Sequence, residues 1–229
     1  TGQGKTAFCL NIATHAARAG KAVLVFSLEM SAESLGERFL AAATGVSLVR
    51  LVSGQIREGD WAQVSDGITK LSEHRIWIND TPGITIPTLR NQIKGFMLRH
   101  ALDLVLVDYL QIARLGERVD KRYREVGLIA QSLKQTAREV DTPIIAAAQL
   151  SRSASRRDNS GPMLSDLGES SGIEQNSDVV LLIHRKQSGA PRQPATLKVA
   201  KNRYGPTGDV SVIWVPDKVS FVNVPASGK

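Results

Sequence analysis

Three apolar runs constrain this chain more than anything else in it: AVLVFSL (22–28), LVLVDY (104–109) and IIAAAQ (144–149). Each is unbroken rather than alternating, the pattern of a strand covered on both faces. Helical stretches lie between them. Phe8, Leu10, Ile12, Ala13 and Ala16 share one side of a helix over 7–18 that Gly20 ends, and Ser31 caps a helix over 32–43 with Glu33 and Glu37 early in it. Residues 59–74 read as helical, Pro87 begins a helix reaching about His100, and 125–140 form another. IWIN (76–79) is a short strand followed by a TPG turn. Strands alternating with helices predict an α/β fold with a mostly parallel central sheet. VVLLIH (179–184), TLKVAK (196–201), VSVIWV (210–215) and VSFVNV (219–224) add strands, the last three antiparallel, as a hairpin extension of that sheet.

The 229 residues suit one large domain, and 42% hydrophobic content suits a buried core. No apolar run approaches the ~20 residues of a membrane helix, and the Gly, Gln and Lys near the start do not read as a signal peptide, so no membrane partner is expected. The one cysteine, Cys9, cannot form an internal disulfide; it fits a reducing cytoplasm and reads as a small core residue. The net charge of +7 is concentrated: between Val179 and Gly208 lie Arg185, Lys186, Arg192, Lys198, Lys201 and Arg203, and no acid. Such a field suits a polyanion, nucleotide or nucleic acid, although charge alone equally describes a solvated basic face.

Ligands of open α/β sheets bind beyond the carboxyl ends of the strands, so the polar residues there carry the chemistry. The chain opens TGQGKT, the back half of a phosphate-binding loop, directly before a helix. Main-chain N–H groups over Gly2, Gly4, Lys5, Thr6 and Ala7 can cradle phosphates at the positive helix end, Lys5 can reach the β- and γ-phosphates, and the Thr6 hydroxyl can hold Mg²⁺. The rest of such a motif, a further glycine and the strand before it, would precede Thr1. Asp108 closes the strand LVLVD, the position of a Mg²⁺-organising aspartate, or of a cap or turn residue. Glu29 ends VLVFSLE and could orient the attacking water, or be an exposed acid at a helix start; Gln149 ends IIAAAQ and could sense the γ-phosphate, or satisfy a buried amide.

Taken together, GKTAFCLNIA, VLVFSLEMS, LVLVDYLQ, AAAQLSR, SDLGESSGIEQNSDVVLLIHR and KNRYGPTG resemble the C-terminal ATPase domain of the DnaB-like replicative DNA helicases, a RecA-like P-loop NTPase fold. The resemblance spans 1–229 and places the family's collar domain, linker and the start of the loop outside this sequence. It implies ATP and Mg²⁺ as cofactors, Glu29 as the water-activating glutamate and Gln149 in the active site. It also implies that Lys201 and Arg203 reach the neighbouring subunit's nucleotide, where an arginine finger contributes on the order of 10³–10⁵ in rate. A ring, expected to be a hexamer, follows, with primase and a helicase loader among the partners.

The family grips single-stranded DNA through main-chain N–H groups of its SDL loop. The matching residues are Gly168, Glu169, Ser170 and Ser171, with Gly168 standing where the family usually has arginine. Arg152, Arg156 and Arg157, in the polar loop over 151–164, either compensate or are merely solvated. Aromatics are 5%, and Trp61, Trp77 and Trp214 read as packing residues, so binding is expected to rest on phosphates and to weaken steeply with salt. Two other readings stay open on the residues: a strand-exchange recombinase or other RecA-like ATPase, and a non-catalytic, nucleotide-responsive DNA clamp.

Overall fold

The computed structural model describes residues 3–116, 119, 121–150, 161–167, 171–185 and 188–225. Seven α-helices are described: α1 (Lys5–Arg18), α2 (Ala32–Thr44), α3 (Leu48–Ser53), α4 (Trp61–Ser72), α5 (Ile86–Met97), α6 (Arg122–Glu139) and α7 (Ser171–Asn176). Eight strands accompany them: β1 (Val23–Ser27), β2 (Ile76–Asn79), β3 (Leu104–Asp108), β4 (Ile144–Ala146), β5 (Val179–Arg185), β6 (Gln193–Asn202), β7 (Gly208–Val215) and β8 (Ser220–Asn223).

The unbroken apolar runs become the middle of a parallel sheet ordered β2-β1-β3-β4. Every residue of β1 and β3 is buried, and successive side chains serve opposite faces. Leu24 and Phe26 of β1 join Val105 and Val107 of β3 on one face, against Leu89 and Ile93 of α5 and Ile129 and Leu133 of α6. Val23, Val25, Leu104 and Leu106 face the other way, against Cys9, Leu10 and Ala13 of α1 and Leu35 and Phe39 of α2. Truncating a side chain as enclosed as Phe26 (0% exposed) to alanine costs about 3–5 kcal/mol.

Local signals set the helix boundaries. The Ser31 hydroxyl accepts from the Ser34 N–H at 3.2 Å to start α2, and Thr85 does the same for α5, with Pro87 inside the first turn. Gly45, at φ 76°, closes α2 in the left-handed conformation that suits glycine.

The C-terminal strands differ from expectation. β5 to β8 form their own antiparallel sheet, ordered β5-β6-β7-β8, rather than extending the parallel one. The N-terminal half of α1 links the two: Ala7 and Phe8 pack with Trp214 and Phe221, and the Asn11 side chain accepts from the Phe221 N–H at 2.8 Å. Two strand ends need correcting as well. Strand β4 stops at Ala146, so Gln149 lies beyond it, and β1 stops at Ser27, so Glu29 lies in the following turn. Trp77 and Trp214 pack against aromatic neighbours, whereas Trp61 is 56% exposed at the start of α4.

Candidate nucleotide-binding site

Helix α1 begins on Gly4, whose φ of 95° is left-handed and whose added Cβ would stand 2.9 Å from the Phe221 ring. Both facts demand glycine here. The first intrahelical bond runs from Phe8 N–H to Gly4 C=O at 2.9 Å, so helix geometry leaves the N–H groups of the first turn without an intrahelical acceptor. No acid occupies that turn, and Lys5 stands in it. Placing a cation at the positive end of a helix is unfavourable unless an anion joins it.

The anionic side is supplied by the ends of β3 and β1. Ser27 pairs with Asp108 in register, and the Leu28 N–H donates to the Asp108 carbonyl at 2.7 Å. The Ser27 hydroxyl donates to the Met30 carbonyl at 2.6 Å, closing a turn that leaves Glu29 exposed. The Asp108 carboxylate is 4% exposed and accepts from the Thr6 hydroxyl. Burial pushes its pKa above the ordinary value, while the Thr6 hydrogen bond and the charges of Lys5 and Arg38 offset part of the rise. Burial likewise lowers Lys5, against the opposing fields of Asp108 and Glu29. Cys9, one turn along α1 from Lys5, is buried, and burial raises its thiol to about 12, as its reading as a core residue requires. Lys5, Thr6, Asp108 and Glu29 therefore meet at one site.

Gln149 is held beside the same strand ends. The Leu110 N–H donates to the Ala147 carbonyl at 2.8 Å, and the Gln111 side chain bonds both main-chain groups of Gln149. Gln111 and Arg38 were missed in the sequence. Arg38 stands next to the buried Phe39 of α2, and its charge acts on Asp108.

Lys201 and Arg203 are not brought to this site. Gly4 lies against Trp214 and Phe221, opposite Gln193 at the start of β6, and the Arg185 N–H at the end of β5 donates to the Gln3 side chain at 3.1 Å. Lys201 stands at the far end of β6, facing Val180. The eight strand steps from Gln193 to Lys201 span roughly 25 Å at the rise of an extended strand. There the Lys201 ammonium donates to the Glu174 carbonyl in the last turn of α7, and Arg203 pairs with Asp178. Gly2, Arg152, Arg156, Arg157, Gly168, Glu169 and Ser170 lie outside the described residues, as does the side chain of Ser171, which begins α7. Among the described residues, no helix is long and apolar enough to cross a membrane.

A parallel sheet flanked by helices, a lysine at a glycine-started helix and a buried aspartate closing the neighbouring strand define a RecA-like α/β domain of the phosphate-loop class. The family model of the DnaB-like helicase C terminal domain matches residues 1–223, and the chain belongs to that family. It is 38% identical over 227 residues to the replicative DNA helicase DnaC of Bacillus subtilis strain 168, covering 96% of this chain and 50% of that protein. The replicative DNA helicase DnaB of Geobacillus stearothermophilus is 36% identical with the same shares covered. The chain thus spans about half the length of these relatives. Among solved structures, a DnaB-like replicative helicase, described with its interactions with primase, matches at a TM-score of 0.91 and 29% identity, over 98% of this chain and 55% of that one.

Proposed function

We propose that this chain is the motor domain of a ring-forming DNA helicase, a translocase that hydrolyses ATP between subunits to move along single-stranded DNA. The observation that carries the reading is the separation along β6: Gly4, beside Lys5, packs near its Gln193 end, while Lys201 and Arg203 sit at and just past the other end. Because a copy cannot bring its own Arg203 to its own Lys5, a head-to-tail neighbour completes the site, and repetition by rotation closes a ring, a hexamer in the full-length protein.

Within each site, Lys5 and the first-turn N–H groups of α1 bind the phosphates. Glu29 orients the attacking water, Gln149 senses the γ-phosphate, and the partner copy's Lys201 and Arg203 neutralise the charge that develops there. The donor set fits Mg²⁺, a hard cation that takes hydroxyl, carboxylate and phosphate oxygens: the Thr6 hydroxyl already meets a buried Asp108 carboxylate. Bound there, the ion supplies positive charge to the β- and γ-phosphates. The main-chain N–H groups of Gly168, Glu169, Ser170 and Ser171 grip DNA phosphates, helped by Arg152. Primase and a loader are the expected partners of the longer protein, and the buried Cys9 thiol suits a reducing cytoplasm.

Mixed rings test this. Lys5→Ala protein retains Arg203, and Arg203→Ala protein retains Lys5. Mixing the two should restore single-strand-stimulated ATP hydrolysis that neither has alone. A mixture no more active than the separate variants, with no rescue between them, would reject a shared site.

A further inference from the structure

We propose that Gln111 is a positioning residue that fixes the main chain of Gln149 relative to Asp108. This rests on the hydrolytic reading above. Regular pairing of β3 with β4 ends at Val107 and Ala146. One irregular step follows, in which the Ala147 N–H donates to the Val107 carbonyl at 2.9 Å and its carbonyl accepts from the Leu110 N–H at 2.8 Å. The chain after Asp108 then turns into a 3₁₀ helix, Leu110–Ile112, so main-chain pairing can go no further.

The Gln111 side chain takes over where the ladder stops. Its Nε2 donates to the Gln149 carbonyl at 2.8 Å, and its Oε1 accepts from the Gln149 N–H at 3.1 Å. A primary amide presents a donor and an acceptor side by side, as a peptide group does. Bonding both groups of one residue fixes its rotation as well as its place, and with them the direction in which its side chain leaves the backbone.

The clamp itself has a firm base. Leu110 and Ala113 on either side of it are buried. The Gln111 carbonyl accepts from the Arg122 guanidinium at the start of α6, and Arg122 is paired in turn with Glu125. Gln111 lies three residues after Asp108, so a displacement of the end of β3 reaches Gln149 through one side chain. A longer β4 would have held Gln149 equally well to the sheet, but not to the turn that follows the aspartate.

The experiment compares Gln111→Ala, Gln111→Asn and Gln111→Glu in the intact protein, by steady-state ATP hydrolysis with single-stranded DNA, equilibrium binding of a non-hydrolysable ATP analogue, and thermal unfolding. A misplaced group at the reacting centre costs on the order of 10- to 100-fold. The expected result is a fall of that size in kcat with KM and analogue Kd within about twofold of wild type. Gln111→Glu adds a signature that a structural role would not produce. An ionised carboxylate cannot donate to the Gln149 carbonyl, but a neutral carboxylic acid can. Its turnover relative to wild type should therefore recover as pH falls into the ordinary glutamate range, about 4.3. Unchanged turnover in Gln111→Ala, turnover and affinity falling together with the unfolding temperature, or no acid recovery in Gln111→Glu would each overturn the proposal. A wild-type protein that does not hydrolyse ATP would instead sink the hydrolytic reading, and the role of Gln111 with it.

Discussion

The Arg203 N–H donates to the Asp178 carbonyl at 2.9 Å, and the Arg203 guanidinium meets the Asp178 carboxylate at 3.3 Å. One residue thus holds both the backbone and the side chain of the arginine expected to act on a neighbouring copy. Lys134 of α6 bonds the same carboxylate. That hydrogen bond, followed by the charges of Lys134, Arg203 and Arg138, holds the Asp178 carboxyl below its ordinary value against the opposing effect of burial.

Asp178→Asn should loosen Arg203. We expect slower hydrolysis in assembled protein, unchanged nucleotide binding by a single copy, and a stability loss of about 1 kcal/mol by urea denaturation. A depressed carboxyl stabilises the fold above its unfolded value, near 3.8, and that contribution is lost only as pH falls through the lower folded value. The difference between Asp178→Asn and wild type should therefore be flat from neutral pH down to about that point and shrink below it.

Asp108→Asn should act in the opposite direction. Burial raises the Asp108 pKa, so the charged form opposes folding; its contribution is favourable at low pH and is lost as pH rises through the folded value. At neutral pH the neutral, isosteric amide should raise the melting temperature of nucleotide-free protein. It should also abolish the further stabilisation that wild type gains from ATP with Mg²⁺. A lower melting temperature for the nucleotide-free variant would contradict this account of the carboxylate.

Gly172 of α7 meets Gly127 of α6 so closely that a Cβ on Gly172 would stand 2.5 Å from the Gly127 Cα. Gly172→Ala should push α7 away and cost about 1–3 kcal/mol in urea denaturation. The reverse substitution, Gly127→Ala, brings a Cβ only to 3.4 Å and replaces glycine with a better helix former, so it should be neutral or stabilising by up to about 1 kcal/mol. Since α7 directly follows the loop expected to grip DNA, Gly172→Ala should also weaken single-strand binding in a filter or anisotropy assay.

Cys9 should be chemically silent in the folded chain. Its thiol, raised to about 12 by burial, stays neutral throughout the physiological range, and the thiolate is the reactive form. Mass spectrometry after an iodoacetamide pulse should find no alkylation of native protein and full alkylation in denaturant.

Elements whose signal is local are legible in the sequence. IWIN is β2 residue for residue, and the unbroken runs became β1 and β3 because both faces of the sheet are covered. Lys5, Thr6 and Asp108 stood out because glycine before a helix and an acid after a buried strand are marks left in neighbouring residues. What escaped depends on distant partners. Helix α3, LVRLVS, has no buried residue, and six residues are too short for its apolar positions to tell a helix from a strand. The second sheet pairs strands that are neighbours in the chain, β5-β6-β7-β8, so its hairpins are local, but nothing in those strands marks that they stay apart from β4. IIAAAQ is shorter as a strand than its composition suggests, because a side-chain amide from Gln111 replaces its last pairings. Arg38 becomes visible only when α2 folds onto the end of β3.

The length of β6 has a consequence for how such a molecule behaves at different concentrations. If Lys201 and Arg203 serve a neighbouring copy as proposed, the span of β6 between them and the Gln193 end keeps a copy from completing its own site. Diluted copies would sit idle with fuel bound but unspent, and consumption would begin only with crowding or with a strand on which to gather.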